Sequence, residues 1–163
     1  ISAYPYLVES KKSIKRFLIE VGVMEEEIKK RRKEDWIEAW FAIEALGATQ
    51  EVVKDSLERH VNKLSETKNV LVYEKKFSEI KKVPPPKGLE EAYSQIAEAK
   101  LFAKDLATFL IIVMLYGPSS IEILGPARKE IKINELQEIA NAISGIIHEF
   151  AAAGLGGMVI TPK

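Results

Sequence analysis

The sequence predicts a helix-rich α+β fold, with N-terminal helices over residues 1–66 packed on a ferredoxin-like βαββαβ unit over residues 67–163. Three observations carry this expectation. Apolar residues recur at helical spacing through the first third of the chain. Short β-branched and aromatic runs follow, "NVLVYEKKF" and "SSIEIL". From Asn69 onward the elements read strand, helix, strand, strand, helix, strand, which builds a small antiparallel sheet. The two parts can also pack as one unit.

In order along the chain, Val8, Ile14, Phe17, Leu18 and Val21 predict a first helix that Gly22 stops. A second helix starts near Met24, with Glu25, Glu26 and Glu27 in the first turn, where the helix dipole favours acids. It presents Trp36, Ala39, Trp40, Ile43 and Leu46 on one face and ends at Gly47. Thr49 caps a third helix that buries Val52, Val53, Leu57, Val61 and Leu64. A strand covers Asn69 to Phe77, and Pro84, Pro85 and Pro86 break the chain.

After Gly88 the pattern predicts one long helix to Leu115, amphipathic at first and apolar all round in "LATFLIIVMLY". Gly117 and Pro118 end it. Ser120 to Leu124 and "EIKI" then alternate, so pairing Ile123 with Ile131 and Ile121 with Ile133 forms a hairpin with Glu122 opposite Lys132. Asn134 is the expected cap of a last helix, with Gln137 three residues on. Gly154 closes that helix, and "GMVIT", Gly157 to Thr161, forms the final strand.

Composition narrows the function classes. Among 163 residues, 24 Lys and Arg balance 24 Asp and Glu, so no global field draws in nucleic acid or an anionic membrane. The absence of Cys excludes thiol chemistry and suits a reducing cytoplasm. Sparse Asn and Gln with abundant Glu and Lys match a hyperthermophile composition. Glu9, Lys11 and Lys12 arrive too early for a signal peptide. The apolar run Leu106 to Tyr116 is shorter than the ~20 residues of a membrane span.

The candidate motifs are mostly architectural. The basic run Lys29 to Lys33 is flanked by Glu25, Glu26, Glu27, Glu34 and Asp35, so it reads as a self-neutralised helix face, with Glu26–Lys30 and Glu27–Arg31 pairs. "GLGG", Gly154 to Gly157, follows a helix, whereas a phosphate loop precedes one. No metal set, cofactor motif or catalytic group is assembled by these spacings. His60 flanks an apolar stripe and reads as packing or surface.

Two candidate sites remain. Tyr116, Ser119 and Ser120 lie at the buried end of the long helix, and Asn134 at the start of the last one. Gln137, Asn141, Ser144 and His148 form a line of uncharged polar groups along that last helix. Together they suit a small polar or anionic ligand, or a contact between helices. The second candidate is "VVKDSLERHVNKLSETKNVLVYEKKF", Val52 to Phe77, which resembles the recognition helix and wing of winged-helix proteins. That resemblance implies DNA contact by Lys54, Arg59 and Lys63, with Lys75 and Lys76 on the wing. Glu51, Asp55 and Glu58 share the helix, and phosphates would repel them.

The reading that results is a non-enzymatic cytoplasmic protein that self-associates through apolar helix faces or senses a small ligand. Its alternative is a winged-helix-like regulator that uses residues 50–77.

Overall fold

Two segments with the spacing of amphipathic helices turn out to be the central strands of the protein. The computed structural model describes residues 5–154, with side chains from residue 13. In chain order the elements are α1 (Pro5–Lys33), β1 (Ile37–Gly47), α2 (Gln50–Glu66), β2 (Val70–Phe77), β3 (Lys81–Val83), β4 (Ala92–Ala103), α3 (Leu106–Tyr116), β5 (Ser120–Gly125) and α4 (Ile133–Ala152). The strands form one antiparallel sheet in the order β2-β4-β1-β5, with β3 also paired to β4. Over the described residues the fold is therefore α+β, with four helices and a small five-stranded antiparallel sheet.

The sheet is held by its middle. β1 and β4 pair without interruption from Ile37 opposite Ala103 to Gly47 opposite Tyr93. Side chains alternate across a strand. The odd-numbered set of β1, Ile37, Ala39, Phe41 and Ile43, meets Ala97, Leu101 and Ala103 of β4 on one face. Against that face lie Leu57, Val61 and Leu64 of α2 and Phe109 and Ile112 of α3. The alanines leave the strand surface low, so the helices approach closely. Phe41 then fills the space between layers, its ring centroid 6.1 Å from that of Phe109.

Several local expectations hold. Thr49 caps α2, its side chain accepting from the Val52 N–H at 3.2 Å. Val53, Leu57, Val61 and Leu64 are its buried stripe, whereas Val52, expected with them, is exposed. α3 ends as expected: Gly117 adopts φ 51° and donates its N–H to the Val113 carbonyl. Only a left-handed residue closes the helix in this way, and glycine does so without a Cβ clash.

Five expectations need correction. Residues 37–47 are strand β1, not a helix. Trp36, Ala39, Trp40, Ile43 and Leu46 do fall at helical spacing, but the alternating set beginning at Ile37 is the one that gets buried. Residues 92–103 are strand β4, so the long helix reduces to α3, which Asp105 caps by accepting from the Thr108 N–H at 2.8 Å. The hairpin between Ile121–Ile123 and Ile131–Ile133 does not form. β5 pairs instead with β1, placing Ile123 opposite Ala39 and Ile121 opposite Phe41, and no strand forms over residues 130–132. Strand β1 offers β5 a longer and more apolar partner than "EIKI" does. Finally, α1 runs through Gly22 without a break, and α4 starts one residue before Asn134, with Lys132 at the cap position and no side-chain cap bond.

The expected boundary at residues 66/67 falls between α2 and β2, and the sheet takes strands from both sides of it. The expected strand at Gly157–Thr161 lies outside the described residues.

Candidate functional site: a projecting helix and its anchored root

α1 leaves the sheet through a tightly specified turn. The Glu34 N–H continues the helical pattern to the Lys30 carbonyl at 3.0 Å. Asp35 then adopts φ 56°, its N–H bonds the Arg32 carbonyl at 3.2 Å, and the Trp36 N–H reaches back to the Arg31 carbonyl at 3.0 Å. This pair of bonds around a left-handed residue is a Schellman closure. Its usual side-chain contact is present too, because the Arg31 guanidinium sits 4.4 Å over the Trp36 ring. Arg31 is braced further by Glu27 at 3.0 Å and Glu34 at 3.2 Å. Of the two pairs that the spacing predicts, Glu27–Arg31 forms, whereas Glu26 pairs with Lys29 at 3.5 Å and not with Lys30.

One residue farther along the helix, the root is pinned to the sheet. Arg32 donates twice to Glu38 of β1, Nε to Oε2 at 2.9 Å and Nη2 to Oε1 at 2.8 Å. The Tyr73 hydroxyl donates to the same Oε1 at 2.7 Å. Glu38 is only 6% exposed, so its charge must be met by hydrogen bonds. Arg32 holds the Glu38 carboxyl below the usual carboxylate range, against the upward push of burial, and Tyr73 adds to the lowering. Glu38 in turn raises Arg32. Tyr73 is pushed well above the ordinary tyrosine value, first by burial and then by its bond to Glu38. Tyr73 also packs on Phe102, ring centroids 5.3 Å apart. A hollow of about 290 Å³ opens beside this cluster, lined by Arg32, Trp36, Glu38 and residues Leu124 to Ala127.

Beyond its root, no described side chain of α1 joins the hydrophobic core. Ile14, Phe17, Leu18, Ile19 and Val23 each expose more than half of their surface, whereas Met24 and Ile28, nearer the root, are half-buried. A monomer rarely leaves so contiguous an apolar patch uncovered. Twenty-nine residues make a helix of about 43 Å, long compared with the sheet that anchors it.

A family model described as the MJ0538 family matches residues 38–163. The chain belongs to the MJ0538 family. The matched span opens at Glu38, the anchor of the root, so it takes in the sheet with α2, α3 and α4, and α1 precedes it. No curated protein is similar to the chain in sequence.

Within this MJ0538-family fold, the residues expected to bind a ligand are divided. Tyr116 ends α3 half-buried. Its hydroxyl shares a hydrogen bond with Thr67 Oγ1 at 2.9 Å, and its carbonyl oxygen lies 2.9 Å from His60 Nε2. The two rings meet edge-on at 5.1 Å. A hollow of about 320 Å³ adjoins them, lined by Ile43, Glu44, Ala45, Ser56, Leu57, His60, Tyr116 and Gly117. His60, read from sequence as packing or surface, is therefore the partner of Tyr116. Its helical position one residue from buried Val61 was the only signal.

Ser119 serves the fold, its N–H and hydroxyl both donating to the Ala42 carbonyl, at 2.8 and 3.0 Å. Ser120 opens β5 opposite Ala42. Asn134, Gln137, Asn141, Ser144 and His148 are all exposed on α4, where Gln137 donates to Asn141 at 3.2 Å. None of these five lines the hollow at Tyr116.

The nucleic-acid candidates are likewise exposed. Lys54, Arg59 and Lys63 stand on the outer side of α2 among Glu51, Asp55 and Glu58. Lys75 and Lys76 belong to β2, an edge strand of the main sheet and not a separate wing. Glu74 draws Lys76 to 3.9 Å and Lys100 to 3.0 Å. Among the described residues, no three His, Asp or Glu side chains gather to hold a metal ion, and no helix is long and apolar enough to cross a membrane.

Proposed function

We propose that this protein is a non-enzymatic, self-associating protein of the cytoplasm, built on a ferredoxin-like unit that holds α1 out as a contact arm. The strand order supports a ferredoxin-like unit over residues 37–125, in place of the one expected over 67–163. Counting β1, β2, β4 and β5 as first to fourth, the sheet runs 4-1-3-2, with helices after the first and third strands and both on one face. The observation that carries the function is α1 itself: a long helix, pinned at its root, whose exposed apolar side chains find no cover among the described residues. Exposed Leu136 and Ile147 on α4 and Ile121 and Ile123 on β5 offer further apolar surface. Light scattering of the full chain at micromolar concentration is expected to give at least twice the chain mass. A mass equal to one chain overturns the proposal.

A second reading, small-ligand sensing, is favoured by the hollow where His60, Ser56, Glu44 and Tyr116 converge. It suits a small polar molecule that meets an imidazole and a backbone-rich rim. Millimolar phosphate or acetate is expected to raise the melting temperature of the wild type and to leave that of His60→Ala unmoved. An equal shift in both, or none in either, removes this reading. The winged-helix alternative has less support, because acids interleave the candidate bases on α2.

A further inference from the structure

We propose that α1 pairs with α1 of a second copy of this chain, in antiparallel orientation, centred between Glu20 and Val21. This rests on the self-association reading and specifies its contact. The occupant follows from four features of the helix.

The first is its apolar stripe. Ile14, Phe17, Val21, Met24 and Ile28 recur at spacings of three and four, the seam of a two-helix pair. The seam is widened by Leu18, which is 62% exposed. A helix that presents a seam asks for another helix with the same repeat, and a second α1 supplies it.

The second feature is charge order. Lys15 and Arg16 precede the stretch Phe17 to Met24, whose one charge, Glu20, bonds Arg16 at 3.1 Å, and Glu25, Glu26 and Glu27 follow it ahead of the basic run Lys29 to Lys33. Basic, apolar and acidic blocks in that order complement themselves only when reversed. An antiparallel pair sets Lys15 and Arg16 of each copy beside Glu26 and Glu25 of the other. A parallel, in-register pair sets each block against its own kind. Opposed flanks steer orientation even where each exposed pair contributes little.

The third feature is the root. The Schellman turn, the Arg31–Trp36 contact and the Arg32–Glu38 bonds fix the direction in which α1 leaves β1. Folding the helix back over its own sheet would break these bonds, and among the described residues nothing covers its exposed apolar side chains, which favours cover by another chain. The fourth is symmetry. Antiparallel pairing about a single centre is an isologous two-fold contact, which closes after two copies and leaves no open end.

The chain has no cysteine, so introduced ones report contacts without background. In the proposed register Phe17 of one copy lies beside Met24 of the other. Phe17 lies about 10 Å along the axis from its own counterpart, beyond the ~7 Å between Cα atoms that a disulfide spans. Phe17→Cys and Met24→Cys chains are mixed under mild oxidation. The expected result is a disulfide-linked heterodimer in the mixture and little linked product from either variant alone. Both positions are outside the core, so folding is preserved, and the circular dichroism spectrum checks this. Strong linkage of Phe17→Cys alone indicates parallel pairing and overturns the proposal. No linkage in the mixture, from a wild type that light scattering shows to be dimeric, also overturns it and leaves self-association through α4 or β5 standing. A monomeric wild type overturns both.

Discussion

Phe41→Ala is expected to lower the unfolding free energy by about 3–5 kcal/mol. Phe41 sits at the centre of β1, has no exposed surface, and touches both layers through the cluster that includes Phe109, Leu57 and Leu101. The alanines around it, Ala39, Ala97 and Ala99, have no side chain long enough to fill the space left behind. The cavity therefore persists, and its cost adds to the lost transfer free energy. Phe41→Leu, which keeps most of the volume, is expected to cost less than half as much. Urea titration at neutral pH reads both. Near-equal midpoints for wild type and Phe41→Ala would mean that the helices do not pack on this face.

The second large effect is tied to pH. Glu38→Gln is expected to destabilise the protein by about 1–3 kcal/mol at pH 7, because Arg32 and Tyr73 lose a charged acceptor. The cost is expected to shrink in acid. The folded Glu38 carboxyl titrates below its ordinary value of 4.5. Its contribution is therefore complete above that value and is lost as the pH falls through the lower, folded one. Urea midpoints of wild type and variant should converge between pH 5 and pH 2, and a gap that stays constant through this range refutes the account. Tyr73 acts in the opposite sense. Its folded hydroxyl titrates above the ordinary 10.0, so its contribution is complete below that value and fades as the pH rises beyond it. Tyr73→Phe should flatten the alkaline limb. Because this cluster is the root of α1, Glu38→Gln should also loosen the arm, and hydrogen exchange over residues 28–35 is expected to quicken.

How much of this was legible in the sequence depends on whether local chemistry or distant partners decide each element. α2 could be read almost to the residue. Thr49 is a good cap, Val53, Leu57, Val61 and Leu64 repeat at helical spacing, and both signals act within a few residues of each other. β2 was legible for a similar reason, since "VLVY" packs poorly as a helix. The end of α3 could be read from Gly117, whose left-handed conformation few other residues adopt. The Glu27–Arg31 pair was legible because its partners lie one helical turn apart.

The central strands were not legible in this way. "IEAWFAIEALG" and "AYSQIAEAKLFA" are rich in Ala, Glu and Leu, which favour helices when nothing else decides. As strands they bury an alternate set on one face and gain a ladder of bonds to each other across some fifty residues of chain. That gain exists only when both segments are present and aligned, so no local window contains it. β5 followed the same logic, leaving the nearby "EIKI" for the more apolar β1. The candidate ligand site was drawn from neighbours along the sequence, and the tertiary structure separated Tyr116 from the polar line on α4 while joining it to His60.

The sequence by itself determined the α+β class, α2, β2, the stop at Gly117 and the Glu27–Arg31 pair, because each is decided by interactions a few residues apart. Only the tertiary structure decided that 37–47 and 92–103 are strands, that β1 and β4 form the centre of the sheet, and that Arg32, Glu38 and Tyr73 meet at the root of an uncovered helix. These depend on long-range pairing and on the burial of one sheet face, whose free energy outweighs the local preference of the residues involved.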